Sequence, residues 1–194
     1  MVISERTENE LLNILKQVRE MKSSSVLTKK FWNISDPLTW THFKKNPPVE
    51  DTEETAVLDS YMEPDWKINI TESDHTFSFE WITAKTVSRS DKSWVKEIGK
   101  CPQALNHERG HFDITELYTR IFNNTANSLI EQNPFPIIND PYKESELQVI
   151  RFWDFVNQPR IEYQCEYEDI TAHGVRPLEQ IQEFKKIQDA LKSN

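Results

Sequence analysis

Glycine is scarce in this chain of 194 residues, which contains three, at positions 99, 110 and 174. Phosphate-binding loops and dinucleotide fingerprints need several glycines close together, because their backbone must approach the phosphates. The scattered glycines therefore argue against NAD and nucleoside triphosphate chemistry. Cysteine is also rare: Cys101 and Cys165 are too few for a disulfide scaffold, although one bridge or two separate thiols are equally compatible with the sequence.

Positive charge is in short supply, since 23 lysines and arginines stand against 32 aspartates and glutamates, for a net charge of -9. Nucleic-acid surfaces neutralise phosphates, so no nucleic-acid partner is expected. Long apolar runs are missing as well, and the mean hydropathy of -0.70 predicts a soluble protein without a membrane span. The first residues carry charges throughout, unlike a signal peptide, and the sequence leaves the compartment unknown.

The sequence contains three amphipathic helical patterns. Apolar residues at helical spacing predict a first helix over 5–21. A middle helix is expected to open near Pro102 and to run to about Ile130, because Pro134 follows. Pro177 opens a last helix, whose buried face is expected to consist of Leu178, Ile181, Phe184, Ile187 and Leu191.

Apolar and polar residues alternate with period two over 66–70, 77–81 and 160–170, which predicts three half-buried strands. Strands followed by helices, with a late strand between helices, indicate the α+β class. We expect an antiparallel or mixed sheet packed on the middle helix. The predicted organisation is an N-terminal amphipathic helix, residues 1–24, followed by one domain over 25–194.

The middle helix contains His107-Glu108-Arg-Gly-His111, an H-E-x-x-H motif. Two histidines four residues apart on a helix project from the same side one turn apart, so both can bind a single Zn²⁺. Glu108 is rotated by about 100° from His107, where it can take a proton from an attacking water without being a ligand. The motif therefore predicts a zinc site with Glu108 as general base.

A helical wheel places both histidines on the apolar stripe of the middle helix, where an unpaired imidazole is costly and a metal is a natural partner. Glu116 lies about 180° from His107 on this wheel, so it is expected to face solvent and not to bind metal. The far side, expected to be solvated, consists of Arg109, Asp113, Glu116, Arg120, Asn123 and Asn127.

A catalytic zinc normally has a third protein ligand and leaves its fourth position to water. Glu131 lies near the end of the middle helix, while Glu168, Asp169 and His173 belong to a segment that can return over the site. His173 precedes Gly174, which permits a tight turn, so it is expected on a loop free to present its imidazole. His173 is the predicted third metal ligand.

Three tyrosines are candidates to stabilise an oxyanion: Tyr118, Tyr163 and Tyr167. Tyr118 lies on the same wheel stripe as the histidines and is the predicted catalytic residue beside Glu108, although a core position is equally compatible with it. Residues 93–95 are a candidate edge strand that would hold an extended peptide by main-chain pairing. Packing alone also explains this segment.

The segment L-N-H-E-R-G-H-F-D-I-T-E-L-Y, residues 105–118, resembles the zinc-motif helix of the domain-of-unknown-function 922 family of predicted bacterial zinc-dependent proteases. The similarity extends to L-T-W-T-H-F with P-P near the start, to S-W-V-K before the motif and to T-A-H-G at 171–174. It covers about residues 37–190. The resemblance implies a zincin-like fold, a protease that is usually exported, and His173 as the third ligand.

We therefore expect a zinc-dependent peptidase that acts on a peptide or protein. One alternative is a metal-stabilised binding module, in which zinc fastens the middle helix to the His173 loop and nothing is cleaved. Another is a zinc hydrolase that acts on a different amide or an ester. The sequence predicts neither the cleavage preference nor the oligomeric state.

Overall fold

The computed structural model describes residues 6–50, 52 and 54–193. In this part of the chain the helices are α1 (Glu8–Ser23), α2 (Pro102–Ile130), α3 (Pro141–Thr171) and α4 (Pro177–Ser193). The strands are β1 (Lys29–Phe31), β2 (Ala56–Val57), β3 (Ser60–Thr71), β4 (Thr76–Arg89), β5 (Trp94–Val95) and β6 (Phe135–Pro136).

Strands β3 and β4 form one long antiparallel hairpin, which pairs from Ser60 opposite Ser88 to the turn after Thr71. This confirms the strands predicted at 66–70 and 77–81, and both extend beyond the alternating residues. β1 pairs with the end of β4 and β6 with its beginning, again antiparallel. The fold is α+β with antiparallel sheets, as the sequence predicts.

Side-chain amides cover the edge of β4 between its two short partners. Asn123 of α2 accepts a hydrogen bond from the Ala84 N–H at 2.7 Å and donates one to the Ala84 carbonyl at 3.1 Å. Asn133 makes the same pair of bonds with Phe79, at 3.1 and 3.2 Å. Two asparagines thus replace a neighbouring strand, which protects an otherwise unpaired edge.

The main hydrophobic core lies where α1, α2 and α3 pack on the β3–β4 hairpin. Leu15 and Val18 of α1 belong to this core, so the N-terminal helix is integrated with the rest of the fold. The predicted start of that helix at residue 5 lies outside the described residues. The buried core residues are Leu15, Val18, Met62, Phe77, Phe79, Ile82, Ala84, Phe122, Ala126, Leu129, Val149, Ile150, Phe152, Trp153 and Val156.

Most of the far side of α2 is not solvated as the wheel predicts, because it faces the sheet and α4, and among its six named residues Asn127 is exposed. Asp113 accepts hydrogen bonds from Trp32 and Gln188, and burial raises its pKa to about 6. Glu116 accepts a hydrogen bond from Thr86 of β4 at 2.8 Å. A wheel records polarity alone, and these polar groups are satisfied by protein partners instead of water.

The strand predicted at 160–170 is wrong, since these residues continue α3, which runs from Pro141 to Thr171. Tyr163, Tyr167 and Thr171 recur every four residues, and the last two are completely buried, so the alternating pattern also fits one face of a helix. Pro159 stands inside the helix but is exposed, and water can bind the carbonyl that loses its partner.

Helix α4 begins at Pro177 as predicted, but its buried face is different from the expected one. Ile187 and Leu191 are buried, whereas Leu178 and Ile181 are largely exposed. Gln180 is buried instead and donates a hydrogen bond to the Gln103 carbonyl of α2 at 3.0 Å. This polar contact rotates the first turns of α4 away from the orientation that hydrophobicity alone indicates.

Cys101 and Cys165 are both free and exposed, so no bridge joins them. Within the described residues, no helix combines the length and the apolar character that crossing a membrane requires.

Candidate metal centre

Helix α2 places the two histidines of the H-E-x-x-H motif one turn apart, as the sequence predicts. The Nε2 atoms of His107 and His111 lie 3.1 Å from each other, and both residues are buried. Their ring planes are almost perpendicular, with centroids 4.7 Å apart. Both nitrogens therefore point to one location on the surface of the helix.

A carboxylate from α3 completes this group. Glu168 Oε1 lies 2.8 Å from His111 Nε2, and Glu168 Oε2 lies 3.2 Å from His107 Nε2. The ligand atoms of these three residues all lie within 4.8 Å of one another, a spacing that can hold a metal ion. A tetrahedral zinc with Zn–N bonds of about 2.0–2.1 Å separates its ligand atoms by about 3.3 Å. The three observed distances approach that value.

Hydrogen bonds on the far side of each ring fix the tautomers. Gln164 donates its amide N–H to the His111 carbonyl at 2.9 Å, so its oxygen accepts from Nδ1 of His111. Thr171 donates its hydroxyl proton to the Tyr167 carbonyl at 2.7 Å, so its oxygen accepts from Nδ1 of His107 at 3.3 Å. Each neutral imidazole thus carries its proton on Nδ1 and a lone pair on Nε2.

When both imidazoles are neutral in these tautomers, two Nε2 lone pairs and the Glu168 carboxylate face one another. Glu168 Oε2 is buried and receives no hydrogen bond of acceptable geometry. Burial lowers the pKa of His107, which favours the neutral imidazole that a metal needs. At His111 burial acts in the same direction, but the hydrogen bond to Glu168 and the charge of Glu108 outweigh it and raise the pKa, so a metal would displace a proton there. Such a set of lone pairs is repulsive alone and favourable around a cation, so these residues fit a bound metal.

The loop between α3 and α4 is pressed against His107 by an unusual backbone. Ala172, His173 and Gly174 have φ values of 48°, 54° and 80°, three successive left-handed residues. A Cβ added to Gly174 would lie 3.1 Å from Cβ and Cγ of His107, so only glycine lets the loop approach this closely. The left-handed backbone of these residues brings the loop from the end of α3 back against His107.

This backbone places His173 next to the three-residue group. His173 Nδ1 lies 2.9 Å from Glu168 Oε2, and the side chain is 71% exposed. The described geometry thus groups Glu168 with the motif histidines, and His173 touches that group through Glu168. The predicted role of His173 as a metal ligand stays a prediction.

Tyr167 lies beneath the two motif histidines. Its ring stacks on His107 and meets His111 edge-on, each with centroids 5.0 Å apart. Tyr167 is completely buried, and its hydroxyl donates to the His107 carbonyl at 3.4 Å. This contact requires Gly110, since a Cβ there would lie 2.2 Å from the Tyr167 hydroxyl oxygen and 2.6 Å from Cζ.

We expect Gly110→Ala to destabilise the protein by about 1–3 kcal/mol, because the added methyl overpacks the contact with Tyr167. A loss of stability would be diagnostic of this contact, since replacing glycine by alanine inside a helix ordinarily stabilises a protein by about 0.5–1 kcal/mol. Urea unfolding gives the free energy of unfolding, and Asn124→Ala at an exposed position of α2 is the control. Equal or greater stability of Gly110→Ala would contradict the proposed contact.

Glu108 lies on the neighbouring face of α2, 5% exposed, and borders the same cavity as the two histidines. Burial raises the pKa of its carboxyl to about 7, against the opposing influence of His111. The backbone N–H of Leu58 donates to this carboxylate. Glu108 is thus positioned beside the three-residue group without belonging to it.

The cavity above these residues has a volume of about 220 Å³. One wall is β2 with its flanking residues, and the opposite wall is the α3–α4 loop. Residues 93–95, the candidate edge strand, do not form a free edge beside the cavity, because β5 lies between β2 and Lys45. Among the described residues β2 pairs with β5 alone, so β2 is the strand that borders the cavity.

Several other predicted candidates lie elsewhere. Tyr118 is eleven residues from His107, about 16 Å along the helix, and its ring packs near Tyr163 in the core. Glu131 caps the far end of α2, and Asp169 is exposed on α3. The structure does not bring any of these side chains to the cavity around His107.

Gln164 and Thr171 are partners of the motif histidines that the sequence did not identify, whereas Tyr167 was among the candidate tyrosines but in a different role. The spacing of Gln164, Glu168 and Thr171 at intervals of four and three is a helical signal that places them on one face. The strand prediction concealed this signal, because a strand places neighbouring positions on alternate faces.

Comparisons of the chain with models of protein families, with curated protein sequences and with solved structures found no match.

Proposed function

We propose that the protein is a zinc-dependent metallopeptidase with a zincin-like arrangement, in which His107, His111 and Glu168 hold the metal and Glu108 is the general base. The observation that carries this proposal is that the ligand atoms of His107, His111 and Glu168 converge on one location beside the buried carboxyl of Glu108. The motif resemblance to the domain-of-unknown-function 922 family, whose members are predicted zinc-dependent proteases, points in the same direction.

A zinc ion held by these residues would supply Lewis-acid chemistry, acidifying a water molecule and polarising a carbonyl. Glu108 takes the proton from the attacking water and passes it to the leaving amine, a role suited to a carboxyl whose pKa burial raises to about 7. Gln164 and Thr171 keep both imidazoles in the tautomer that presents Nε2. The Tyr167 ring and Gly174 of the α3–α4 loop pack against His107, which leaves this imidazole little contact with solvent.

A peptide substrate is favoured by the strand that borders the cavity. In the described residues β2 pairs with β5 alone, which leaves its other edge available to an extended chain. Main-chain pairing on such an edge aligns a peptide without regard to its side chains. It would carry a scissile carbonyl past Glu108 and the two histidines.

A second candidate, a metal-stabilised binding module, is favoured by one observation. His173 lies 2.9 Å from Glu168 and is near enough to close a fourth position, as structural zinc sites do. In that case zinc would fasten α2 to α3 and the α3–α4 loop. Glu108 would then have no role, although the fold buries it beside the site at an energetic cost.

We expect purified protein to contain about one zinc per chain and to cleave members of a random peptide library. A chelator should abolish cleavage, and added Zn²⁺ should restore it, because the metal supplies the attacking nucleophile. Mass spectrometry of the library gives cleavage, and elemental analysis gives the metal content. Zinc-loaded protein that leaves every peptide intact would favour the binding module. Protein that takes up no zinc would overturn both the peptidase and the binding-module proposals.

A further inference from the structure

A second cavity, of about 490 Å³, lies between α1, α3 and the start of β3. We call it the arginine cavity, because Arg6, Arg89 and Arg160 all border it. Its other charged lining residues are Asp59 and Asp154. Three positive charges thus meet two negative ones, in a protein whose net charge is -9.

Two of the three arginines are matched by these carboxylates. Arg89 makes a bidentate pair with Asp59, with both N–O distances at 2.8 Å. Arg6 pairs with Asp154, a buried residue. Because each aspartate already has an arginine partner, neither carboxylate is left over for Arg160.

Arg160 makes only neutral contacts. Its Nε donates to Asn157 at 2.7 Å, and Nη1 donates to Thr115 at 3.4 Å. A guanidinium has five N–H donors, so three remain for a ligand. Among the described residues, no carboxylate lies within 4.0 Å of it to form a salt bridge. Burial lowers the pKa of Arg160 to about 10, against the opposing influence of Asp59, and the side chain stays partly exposed at the cavity.

The arginine cavity adjoins the candidate metal centre. Leu58 borders both cavities, and its N–H binds Glu108. On α3, Arg160, Gln164 and Glu168 follow at intervals of four residues, so Arg160 lies about 12 Å along the helix from the candidate ligand. An extended peptide covers that length with about four residues.

We propose that Arg160 binds a carboxylate of the substrate, so that the preferred peptides carry a negative charge within about four residues of the cleaved bond. This inference rests on the proposed peptidase function and names its substrate class. A carboxylate fits the fork of Arg160 in a bidentate arrangement and neutralises the one unmatched charge of the arginine cavity. The charge has two possible sources, an aspartate or glutamate side chain and the carboxyl terminus of the peptide.

Pairs of peptides that differ only in one negative charge distinguish an acidic side chain from the carboxyl terminus as the source of that charge. One pair has glutamate or glutamine near the cleaved bond with both termini blocked, and a second pair has a free or an amidated carboxyl terminus with neutral side chains. We expect one pair to show a kcat/KM about 10- to 100-fold higher for the charged member, the effect of a hydrogen bond to a charged group. Equal kcat/KM in both pairs would overturn the proposal.

Arg160→Gln should remove this preference, because kcat/KM for each charged peptide should fall to the value of its neutral counterpart. Arg151→Gln, at an exposed arginine on the same helix, is the matched control and should keep the preference. If Arg160→Gln does not fold, Arg160→Lys retains the charge without the fork and should reduce the preference to an intermediate value. Full preference in either folded Arg160 variant would contradict the assignment.

A binding measurement separates this proposal from the peptidase function itself. Fluorescence anisotropy of labelled peptides on zinc-loaded Glu108→Gln should show tighter binding of the charged member, and Arg160→Gln in that background should remove the difference. Wild-type protein that cleaves nothing but binds in this carboxylate-dependent way would refute the peptidase function and retain the Arg160 site. Cleavage without any carboxylate preference would support the peptidase function and refute the Arg160 site.

Discussion

Glu108→Gln is expected to lower kcat by about 10²- to 10⁴-fold while the protein keeps its zinc. Glutamine has nearly the same shape but cannot take a proton from the attacking water. The loss equals about 3–5 kcal/mol of barrier at 1.36 kcal/mol per tenfold change. Metal content should be unaffected, because Glu108 lies beside the three-residue group and is not part of it.

Single-turnover kinetics on a peptide that the wild type cleaves give the rate, and elemental analysis gives the zinc. Glu116→Gln is the matched control: Glu116 is a largely buried glutamate of the same helix whose carboxylate binds Thr86 and Arg120 instead of facing the cavity. It should leave kcat almost unchanged. Undiminished turnover in Glu108→Gln would mean that another group is the base, and zinc loss in that variant would mean that Glu108 binds metal.

Local signals in the sequence were sufficient for the elements that carry the motif. Pro102 at the first turn and Pro134 beyond the end bracket α2, and these residues act through backbone chemistry that does not depend on the rest of the fold. The two strands that form the hairpin were predicted for a similar reason, since Phe77 and Phe79 alternate with polar neighbours and are both buried. Each of these predictions needs only residues close in sequence.

The sequence was misleading where tertiary contacts decide. The second half of α3 alternates like a strand and follows Pro159, but burial of Tyr167 and Thr171 against α2 makes it helical. The buried face of α4 was predicted correctly at Ile187 and Leu191 but not in its first turns, because Gln180 docks on α2 through a hydrogen bond that no hydrophobicity scale records. Packing partners distant in sequence overrule local preference in both cases.

The part of the candidate site that could be predicted from the sequence is the part formed by residues close in sequence. His107, Glu108 and His111 lie on one helix, so their spacing alone brings them together. The third partner comes from another element, and its identity depends on whether 160–170 is a strand or a helix. As a helix, the segment directs Gln164 and Glu168 to the same face, toward His111.

The T-A-H-G segment joins the two parts of the site. Thr171 fixes the tautomer of His107, His173 contacts Glu168, and Gly174 packs on the His107 ring. The three left-handed residues from 172 to 174 let one short loop make all of these contacts. A motif that is remote in sequence from H-E-x-x-H is thus a direct neighbour of it in space.

The identity of the third metal ligand predicts a large difference between two variants. If Glu168 is the ligand, Glu168→Gln should weaken zinc binding by more than about 100-fold, because it removes both a donor atom and the negative charge. His173→Ala should then weaken it by about 10- to 100-fold, the usual effect of a residue that orients a ligand. If His173 is the ligand, His173→Ala should weaken zinc binding more than Glu168→Gln does.

Competition with a chromophoric chelator measures the affinities, and X-ray absorption of the zinc-loaded protein counts imidazole ligands independently. Two imidazoles and one carboxylate support Glu168, whereas three imidazoles support His173 and require the exposed loop residue to turn toward the motif histidines. Glu116→Ala is the control and should leave the affinity unchanged, since its carboxylate faces Thr86 on the opposite side of α2. Unchanged affinity in both Glu168→Gln and His173→Ala would exclude both residues and leave the metal held by His107 and His111 alone.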